Sequence, residues 1–217
     1  MKLSDANHLL RHFYLPLESG WLRNPDGTAH VAARTAMIGC KAHMVEWWFS
    51  FLHTTEHYKW WHPRDHVFSD WVGERGTGRY VGGTHIAHEY FAGGPTLFKL
   101  KINFRDPGDI LDKSLFKQAR LGAAIYARTG PVDRDLWVGH TLHLVYDTPE
   151  GCVMRSRFWL GELDPAPARI SRDEMIALVP DERVRGLHQH SSEEMGILGG
   201  FLPTLYRMNN PDAATLV

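Results

Sequence analysis

The sequence predicts an α+β fold in which helices pack on an antiparallel sheet, and three observations support this prediction. Four segments between residues 80 and 160 have strand character, and a turn sequence separates the last two of them. Residues 41–52 carry apolar side chains at helical spacing. The chain is helical again beyond residue 171, and a long C-terminal helix lying across a curved sheet would leave a cavity between the two.

The first two elements are a hairpin and a helix. Residues 21–35 are predicted to turn back at Asn24-Pro25-Asp26-Gly27, because proline fixes φ and glycine permits the backbone angles of a tight turn. In residues 41–52 apolar side chains recur every three or four positions, which indicates an amphipathic helix. We expect this helix to pack on the sheet.

The strand candidates follow an aromatic, histidine-rich stretch over residues 53–71. They comprise residues 80–91, 97–104, 137–146 and 152–160. The last two candidates flank Asp147-Thr148-Pro149-Glu150-Gly151, which has the composition of a turn, and they should pair as a hairpin.

The remainder of the chain is predicted to be helical. Ser171 is suited to cap a helix, and Asp173 and Glu174 place negative charge in its first turn, where the helix dipole favours it. The apolar pattern continues from there to Leu205, and we expect Pro203 to kink this final helix.

Length and charge narrow the classes of function. A chain of 217 residues fits one domain, 1–217, with a sizeable core. With 24 basic and 25 acidic residues the chain is almost neutral, so nothing indicates nucleic acid or an anionic membrane as a partner.

The absence of a membrane-spanning run or a signal peptide favours the cytoplasm. Cys40 and Cys152 are not spaced for metal or redox chemistry and are expected to be small buried residues.

Histidine and aromatic residues are abundant. The chain has 14 His, 8 Trp, 7 Tyr and 10 Phe, and aromatic walls suit a pocket for a flat apolar ligand. Imidazole is the commonest metal-binding side chain and carries protons near neutral pH. A small molecule is therefore the expected partner.

The most informative segment lies in the predicted C-terminal helix. Residues three and four apart share a helix face, so one stripe combines two polar residues with four apolar ones: Leu187, His190, Glu194, Ile197, Phe201 and Leu205. A buried carboxylate requires a compensating charge, and a divalent cation bound by Glu194 and His190 would supply it. The alternative is that the pair is exposed and the apolar stripe runs slightly differently.

Two further clusters contain metal-ligand types. His62 and His66 are both candidates, although Pro63 makes a regular helix through them doubtful. In the strand at residues 84–90, alternation places Glu89 on the face of His85, opposite Thr84. A set of histidines and carboxylates without cysteine suits zinc, iron or manganese, and ligand type does not choose among them.

Several separated motifs are similar, in the same order, to those of a known family. They are Trp47-Trp48-Phe49, Tyr58-Lys59 with His66, Thr84-His85 with Glu89, Asp147-Thr148-Pro149, Arg155-Ser156-Arg157-Phe158-Trp159-Leu160-Gly161, and His190 with Glu194. The sequence resembles the 2,4-diacetylphloroglucinol hydrolases and their relative phloretin hydrolase. This resemblance implies a helix-grip fold (Bet v 1-like or START-like), in which a curved antiparallel sheet wraps around a long C-terminal helix with an internal cavity.

The resemblance also implies a site. Carried over by position, the ligands of a Zn²⁺ ion are His66, Glu89, His190 and Glu194. The tyrosine eight residues before the first ligand favours His66 over His62. Tyr58 would hydrogen-bond a phenolic oxygen, and a histidine before the Asp-Thr-Pro turn would transfer a proton. We place that role on His143, while the sequence leaves open whether His140 points inward instead.

The implied activity is metal-dependent hydrolysis of the carbon–carbon bond between an acyl group and a phenolic ring, a hydrolase reaction on a ketonic substrate. The main alternative is a non-catalytic carrier of a hydrophobic or aromatic ligand. An iron oxygenase ranks lower, because two histidines and two carboxylates exceed its usual ligand set. No nucleophilic serine motif or phosphate-binding loop is present. A homodimer is a candidate assembly that the sequence does not decide.

Overall fold

The structure is a computed structural model that describes residues 1–74, 77–166 and 169–212. The strands are β1 (Gly20–Arg23), β2 (Ala29–Ile38), β3 (His66–Val72), β4 (Thr84–Glu89), β5 (Phe98–Arg105), β6 (Ala123–Pro131), β7 (Trp137–Thr148) and β8 (Gly151–Asp164). The α-helices are α1 (His8–Arg11), α2 (Ala42–Phe51), α3 (Thr55–Trp61), α4 (Phe116–Ala119), α5 (Arg172–Leu178) and α6 (Asp181–Asn209). Short 3₁₀ turns lie at Leu3–Asp5, Pro107–Asp109 and Lys113–Leu115.

All eight strands belong to one antiparallel sheet in the order β1-β2-β8-β7-β6-β5-β4-β3. The curved sheet packs against α6, which also contacts α2 and α3. The α+β class and the helix-grip arrangement are therefore confirmed. Among the described residues, no helix has the length and apolar character needed to cross a bilayer.

Both predicted hairpins are confirmed. Asn24 and Thr28 close the turn between β1 and β2, where the backbone N–H of Asn24 donates to the Thr28 carbonyl at 2.8 Å. Gly27 has a φ of +90°, a conformation that glycine adopts without strain. The second hairpin joins β7 and β8 across Thr148 and Gly151, as the turn sequence predicts.

The predicted helix over residues 41–52 corresponds to α2, whereas the single C-terminal helix predicted beyond Ser171 is wrong. Ser171 does cap a helix, since its hydroxyl accepts the Glu174 N–H, but α5 ends at Leu178 and α6 begins at Asp181. Pro180 lies between them, and a residue that precedes proline is disfavoured in the helical region. Downstream, α6 continues through Pro203 to Asn209.

Two strands, β3 and β6, lie outside the predicted strand candidates. The sequence of β6 is Ala-Ala-Ile-Tyr-Ala-Arg-Thr-Gly-Pro, and alanine, glycine and proline are poor strand formers. In β3 a serine and an aspartate interrupt the apolar residues. Pairing with neighbouring strands therefore decides the conformation of these segments more than their own propensity does.

The two faces of the sheet pack against different parts of the chain. On the face toward α6, Val184, Leu187, Met195, Leu198 and Leu202 of the helix contribute to two apolar clusters. The other face is covered by the N-terminal segment, whose Leu9 and Leu10 pack with Trp159 and Leu142. Cys40 and Cys152 are buried free thiols, as the sequence predicts.

An ion cluster ties the N-terminal segment to β8. Arg155 and Arg157 are fully buried, and both contact the carboxylate of Glu18, at 2.6 and 2.9 Å respectively. Arg155 also donates to the backbone carbonyls of Leu9 and His12. Burial opposes ionisation of Glu18, but the hydrogen bond from Arg155 and the charge of Arg157 outweigh it and lower the pKa of the carboxyl.

Replacing Glu18 with glutamine is expected to lower the free energy of unfolding by about 3–5 kcal/mol at pH 7, because two buried guanidinium groups lose their counter-charge. A carboxyl whose pKa is lowered by folding stabilises the protein above its unfolded pKa, and this contribution disappears as the pH falls through the folded pKa. Urea unfolding at pH 7 and at pH 4 should therefore show a smaller acid destabilisation in Glu18→Gln than in the parent. The exposed Glu150, as Glu150→Gln, is the control; equal acid sensitivity in both variants would contradict the prediction.

Candidate metal centre

Three elements bring together the side chains that the resemblance implies as metal ligands. His66 begins β3 and Glu89 ends β4, and the two residues are direct partners in the antiparallel register. His190 and Glu194 lie one turn apart on α6. All four side chains are buried, so residues separated by more than 120 positions meet in the interior.

The distances from each imidazole Nε2 to the other donor atoms of the cluster are short and similar. His66 Nε2 lies 3.3 Å from His190 Nε2, 3.5 Å from Glu89 Oε2 and 3.6 Å from Glu194 Oε2. His190 Nε2 lies 3.7 Å from each carboxylate oxygen. Ligands about 2.0–2.1 Å from a tetrahedral zinc ion are separated from each other by about 3.3–3.4 Å. These distances lie within a few tenths of an ångström of that spacing, and His66, Glu89 and His190 form a group that could hold a small divalent cation.

Hydrogen bonds orient both imidazole rings. His66 Nδ1 lies 2.8 Å from the carbonyl oxygen of Tyr58, which only accepts, so this nitrogen carries the proton. His190 Nδ1 lies 3.1 Å from a carboxylate oxygen of Asp65. With Nδ1 protonated in each ring, both Nε2 lone pairs point toward the space between Glu89 and Glu194. This is the tautomer that a metal-binding histidine needs.

The electrostatics of the cluster favour a bound cation. Burial raises the pKa of Glu194 to about 7, opposed by His190 and reinforced by Asp65. Burial also raises the pKa of Glu89. Burial lowers the pKa of His66 to about 3, so this ring is neutral near pH 7 and supplies no positive charge. Burying two carboxylates in one cluster is costly unless a cation neutralises them.

Asp65, which the sequence did not single out, supports His190. Its carboxylate is fully buried, and it accepts hydrogen bonds from Arg64 at 2.8 and 3.0 Å and from the backbone N–H of Gly93 at 3.1 Å. Burial opposes ionisation of Asp65, but the hydrogen bonds from Arg64 and His190 outweigh it and hold the pKa well below its usual range. The only sequence signal was its position directly before His66.

Asp65→Asn is expected to weaken metal binding by about 10–100-fold, because an amide does not hold the His190 ring in the same tautomer as a carboxylate does. The measurement is a competition titration of the metal-free protein with a chromophoric zinc chelator. Asp173→Asn changes an exposed carboxylate and is the matched control. Unaltered affinity in Asp65→Asn would show that the carboxylate does not orient a metal ligand.

The structure places His66, rather than His62, beside the two glutamates. His62 is also buried, but its Nε2 faces Glu193 Oε2 at 3.3 Å and its ring stacks on His190 at 4.8 Å between centroids. His62, Asp65 and His190 form a second group with metal-ligand types. The His190 atom nearest Asp65 is Nδ1, the nitrogen that donates a hydrogen bond to the Asp65 carboxylate. We therefore interpret His62 and Asp65 as residues that orient His190, and not as ligands of a second metal ion.

The apolar stripe predicted on the C-terminal helix is correct at His190 and Glu194 but wrong at Ile197. Ile197 is 36% exposed, and burial continues instead through Leu198 and Leu202. The stripe therefore steps by four residues after Glu194, as a period of 3.6 residues allows. Phe201 and Leu205 are partly buried at its edge.

The cluster lies in a mainly aromatic and aliphatic cavity of about 90 Å³. Its polar lining residues are Tyr58, His85, Glu89, Thr129, Thr141, His143, Arg183, His190 and Glu194. The hydroxyl of Tyr58 donates a hydrogen bond to Glu89, and the ring stacks on His66 with 3.6 Å between centroids. Burial, followed by the charge of Glu89, raises the pKa of this phenol.

Three further histidines differ in their relation to the cavity. His143 lines it, and its Nδ1 lies 2.8 Å from the hydroxyl of Ser156. Burial lowers the pKa of His143 to about 4. His140 is on the other face of β7, where its Nδ1 contacts the Tyr126 hydroxyl. His85 also lines the cavity and was not assigned a role from the sequence, although strand alternation placed it on the face of Glu89.

The chain is similar to known proteins in both sequence and fold. The sequence profile described as "DAPG hydrolase PhiG domain" matches residues 1–207. A 2,4-diacetylphloroglucinol hydrolase of Pseudomonas protegens is 30% identical over 233 aligned residues, covering 98% of this chain and 75% of the relative. A protein of the same name from Pseudomonas sp is also 30% identical, with 78% of its length covered. The solution structure of KanY is 11% identical with a TM-score of 0.50 over 80% of this chain and 97% of that one, which indicates a shared fold.

Proposed function

This chain belongs to the DAPG hydrolase PhiG domain family, and from that premise we propose that it hydrolyses the carbon–carbon bond between an acyl group and a phloroglucinol-type ring. The observation that carries the proposal is the convergence of four buried donor side chains at one side of an aromatic cavity. Water and the acylphenol are consumed, and a carboxylic acid and the deacylated phenol are released.

The proposed ligands of a divalent cation, with zinc as the ion, are His66, Glu89, His190 and Glu194. The two imidazole Nε2 atoms lie 3.3 Å from each other and 3.5–3.7 Å from an oxygen of each carboxylate, and both carboxylates are buried. When bound there, such a cation supplies Lewis acidity toward the acyl carbonyl and lowers the pKa of a coordinated water to about 7.

Tyr58 is proposed to position the phenol. Its hydroxyl proton is directed at Glu89, so the oxygen lone pairs remain free to accept a hydrogen bond from a substrate hydroxyl. Because the pKa of Tyr58 is raised, the side chain stays neutral near pH 7. It can therefore donate a hydrogen bond to Glu89 and accept one from the substrate at the same time. A substrate ring held in this way would present its acyl group toward the carboxylate cluster.

His143 is proposed to move the proton that the ring requires. When the carbon–carbon bond breaks, its electron pair stays on the ring carbon, which must gain a proton, while the acyl carbon gains a hydroxyl from water. Flanking hydroxyl groups ease this step because they let the ring adopt a keto form. With a pKa of about 4, His143 is neutral near pH 7, so it accepts a proton from substrate or water before it returns one to the ring carbon.

The direct test is to incubate the purified metal-loaded protein with a panel of acylphloroglucinols and to quantify the released carboxylic acid. A fully O-methylated analogue is the matched control substrate, because it cannot adopt the keto form and should release no acid. If no acylphloroglucinol yields acid in the presence of stoichiometric metal, the hydrolase proposal is wrong.

A carrier of an aromatic ligand is the second candidate function, favoured by the aromatic lining of the cavity. The two candidates differ in metal content. A carrier should purify without stoichiometric metal and bind its ligand equally well after treatment with a chelator, whereas the hydrolase should lose turnover. Elemental analysis of the protein before and after chelation therefore separates the two.

A further inference from the structure

Arg183 is a cavity side chain for which the reaction described above has no role. It lies in the first turn of α6 and is partly buried. Within the described part of the chain its Nε is buried and has no hydrogen-bond partner. Burial alone lowers the pKa of the guanidinium, with no carboxylate acting against it. The contact that it does make is with an aromatic ring, since its guanidinium carbon lies 4.9 Å from the centroid of Phe98.

Arg183 and the carboxylate cluster lie at different depths of the same cavity. Arg183, Leu187, His190 and Glu194 are spaced by four, three and four residues, so they share one face of α6, and all four line the cavity. The seven residues from Arg183 to His190 correspond to about 10 Å along the helix axis. This axial distance is comparable to the length of one substituted aromatic ring.

Arg183 also marks the outer end of the cavity. Together with Phe91 it lines a second, more open pocket formed with Phe98 and the residues around Pro180. A ligand that enters from this side would pass Arg183 before it reaches His190 and Glu194. Of the two charged residues that line the second pocket, Glu182 and Arg183, only Arg183 also lines the first cavity, whose inner end carries carboxylates.

A partly desolvated guanidinium favours an anionic ligand. Arginine keeps its proton at any pH that the protein tolerates, so the side chain cannot lower the free-energy cost of burial by becoming neutral. An oxyanion would satisfy the Nε–H and offset the cost of burial. A phenol conjugated to a ketone is more acidic than tyrosine, because the carbonyl delocalises the negative charge of its phenolate.

We propose that Arg183 binds a phenolate oxygen of the substrate, at the edge of the ring remote from the acyl group. The substrate class is then acylphenols that bind as anions, and Arg183 is a specificity-determining residue. This inference rests on the proposed function for the orientation of the ring, with the acyl group toward His190 and Glu194.

The test is a binding measurement that requires no turnover. The probes are a phenyl ketone with a single para hydroxyl and its methyl ether, neither of which has the flanking hydroxyls that hydrolysis needs. Calorimetric titration of the metal-loaded protein at pH 9, where the conjugated phenol is ionised, should show tighter binding of the phenolate by about 10-fold or more. Arg183→Met should abolish this preference, and Arg183→Lys should retain part of it because the charge remains.

Arg185→Met, an exposed arginine of the same helix, is the matched control and should keep the full preference. Circular dichroism and metal content verify that each variant is folded and loaded. Equal binding of both probes to the parent protein, or an unchanged preference in Arg183→Met, would overturn the inference. Loss of the preference in Arg183→Met supports it even if the parent releases no acid from acylphloroglucinols, an outcome that would refute only the hydrolase proposal.

Discussion

His190→Ala is expected to remove the bound cation and to lower acylphloroglucinol hydrolysis by roughly 10³-fold or more, which is about 4 kcal/mol of transition-state stabilisation. Two reasons make this position the most sensitive of the proposed ligands. Its Nε2 lies within 3.7 Å of the donor atoms of His66, Glu89 and Glu194. Its Nδ1 connects the cluster to Asp65, so the substitution also leaves a buried carboxylate without one of its partners.

The measurement pairs elemental analysis of dialysed protein with initial rates of acid release. His188→Ala is the control, because His188 is on the same helix but contacts Ser19 instead of the cavity. Removal of the imidazole should leave near-background metal in His190→Ala and full occupancy in His188→Ala. Full metal occupancy in His190→Ala would exclude His190 as a ligand and leave His66, Glu89 and Glu194 as the remaining candidates.

His143→Ala is expected to lower turnover by about 10²–10⁴-fold while the metal content stays unchanged. The side chain lines the cavity and contacts Ser156, and none of the proposed metal ligands is among its hydrogen-bond partners. Its loss should therefore affect proton transfer rather than metal binding. His190→Ala should lose both turnover and bound metal, so comparing the two variants separates proton transfer from metal binding.

The comparison variant is His140→Ala, three residues away in β7. His140 contacts Tyr126 on the opposite face, so its removal should change turnover little. The readout is kcat with saturating substrate, accompanied by metal analysis of both variants. If His140→Ala were the slower enzyme, or if His143→Ala kept normal turnover, His143 would have no part in the mechanism.

Local patterns in the sequence were sufficient where a few neighbouring residues decide the conformation. Asn24-Pro25-Asp26-Gly27 and the Asp-Thr-Pro turn specify hairpins whatever the rest of the chain does. The apolar spacing of residues 41–52 similarly predicted α2 to within one residue at each end. Alternation in β4 placed Glu89 on the same face as His85, because a strand has a period of two, and the structure shows that this face is buried.

Features that depend on distant contacts were predicted less well. Strand β6 pairs with β5 and β7 although its residues have weak strand propensity. The sequence of β6 alone does not indicate that these two strands lie beside it. The support of His190 by Asp65 joins residues 125 positions apart. The roles of Asp65 and Arg183 depend on which side chains surround them, and no spacing along the chain encodes that.

By itself, then, the sequence determined the α+β class, the two hairpins and helix α2, and through its resemblance to a family it also indicated the four donor residues. Periodicity and turn composition depend on a few neighbouring residues, so they predict local structure without knowledge of the tertiary fold. Only the tertiary structure decided that His66 rather than His62 lies beside Glu89, that His143 rather than His140 lines the cavity, and that Arg183 lies at its outer end. These choices depend on the curvature of the sheet around α6 and on burial, which follow from the packing of the whole chain.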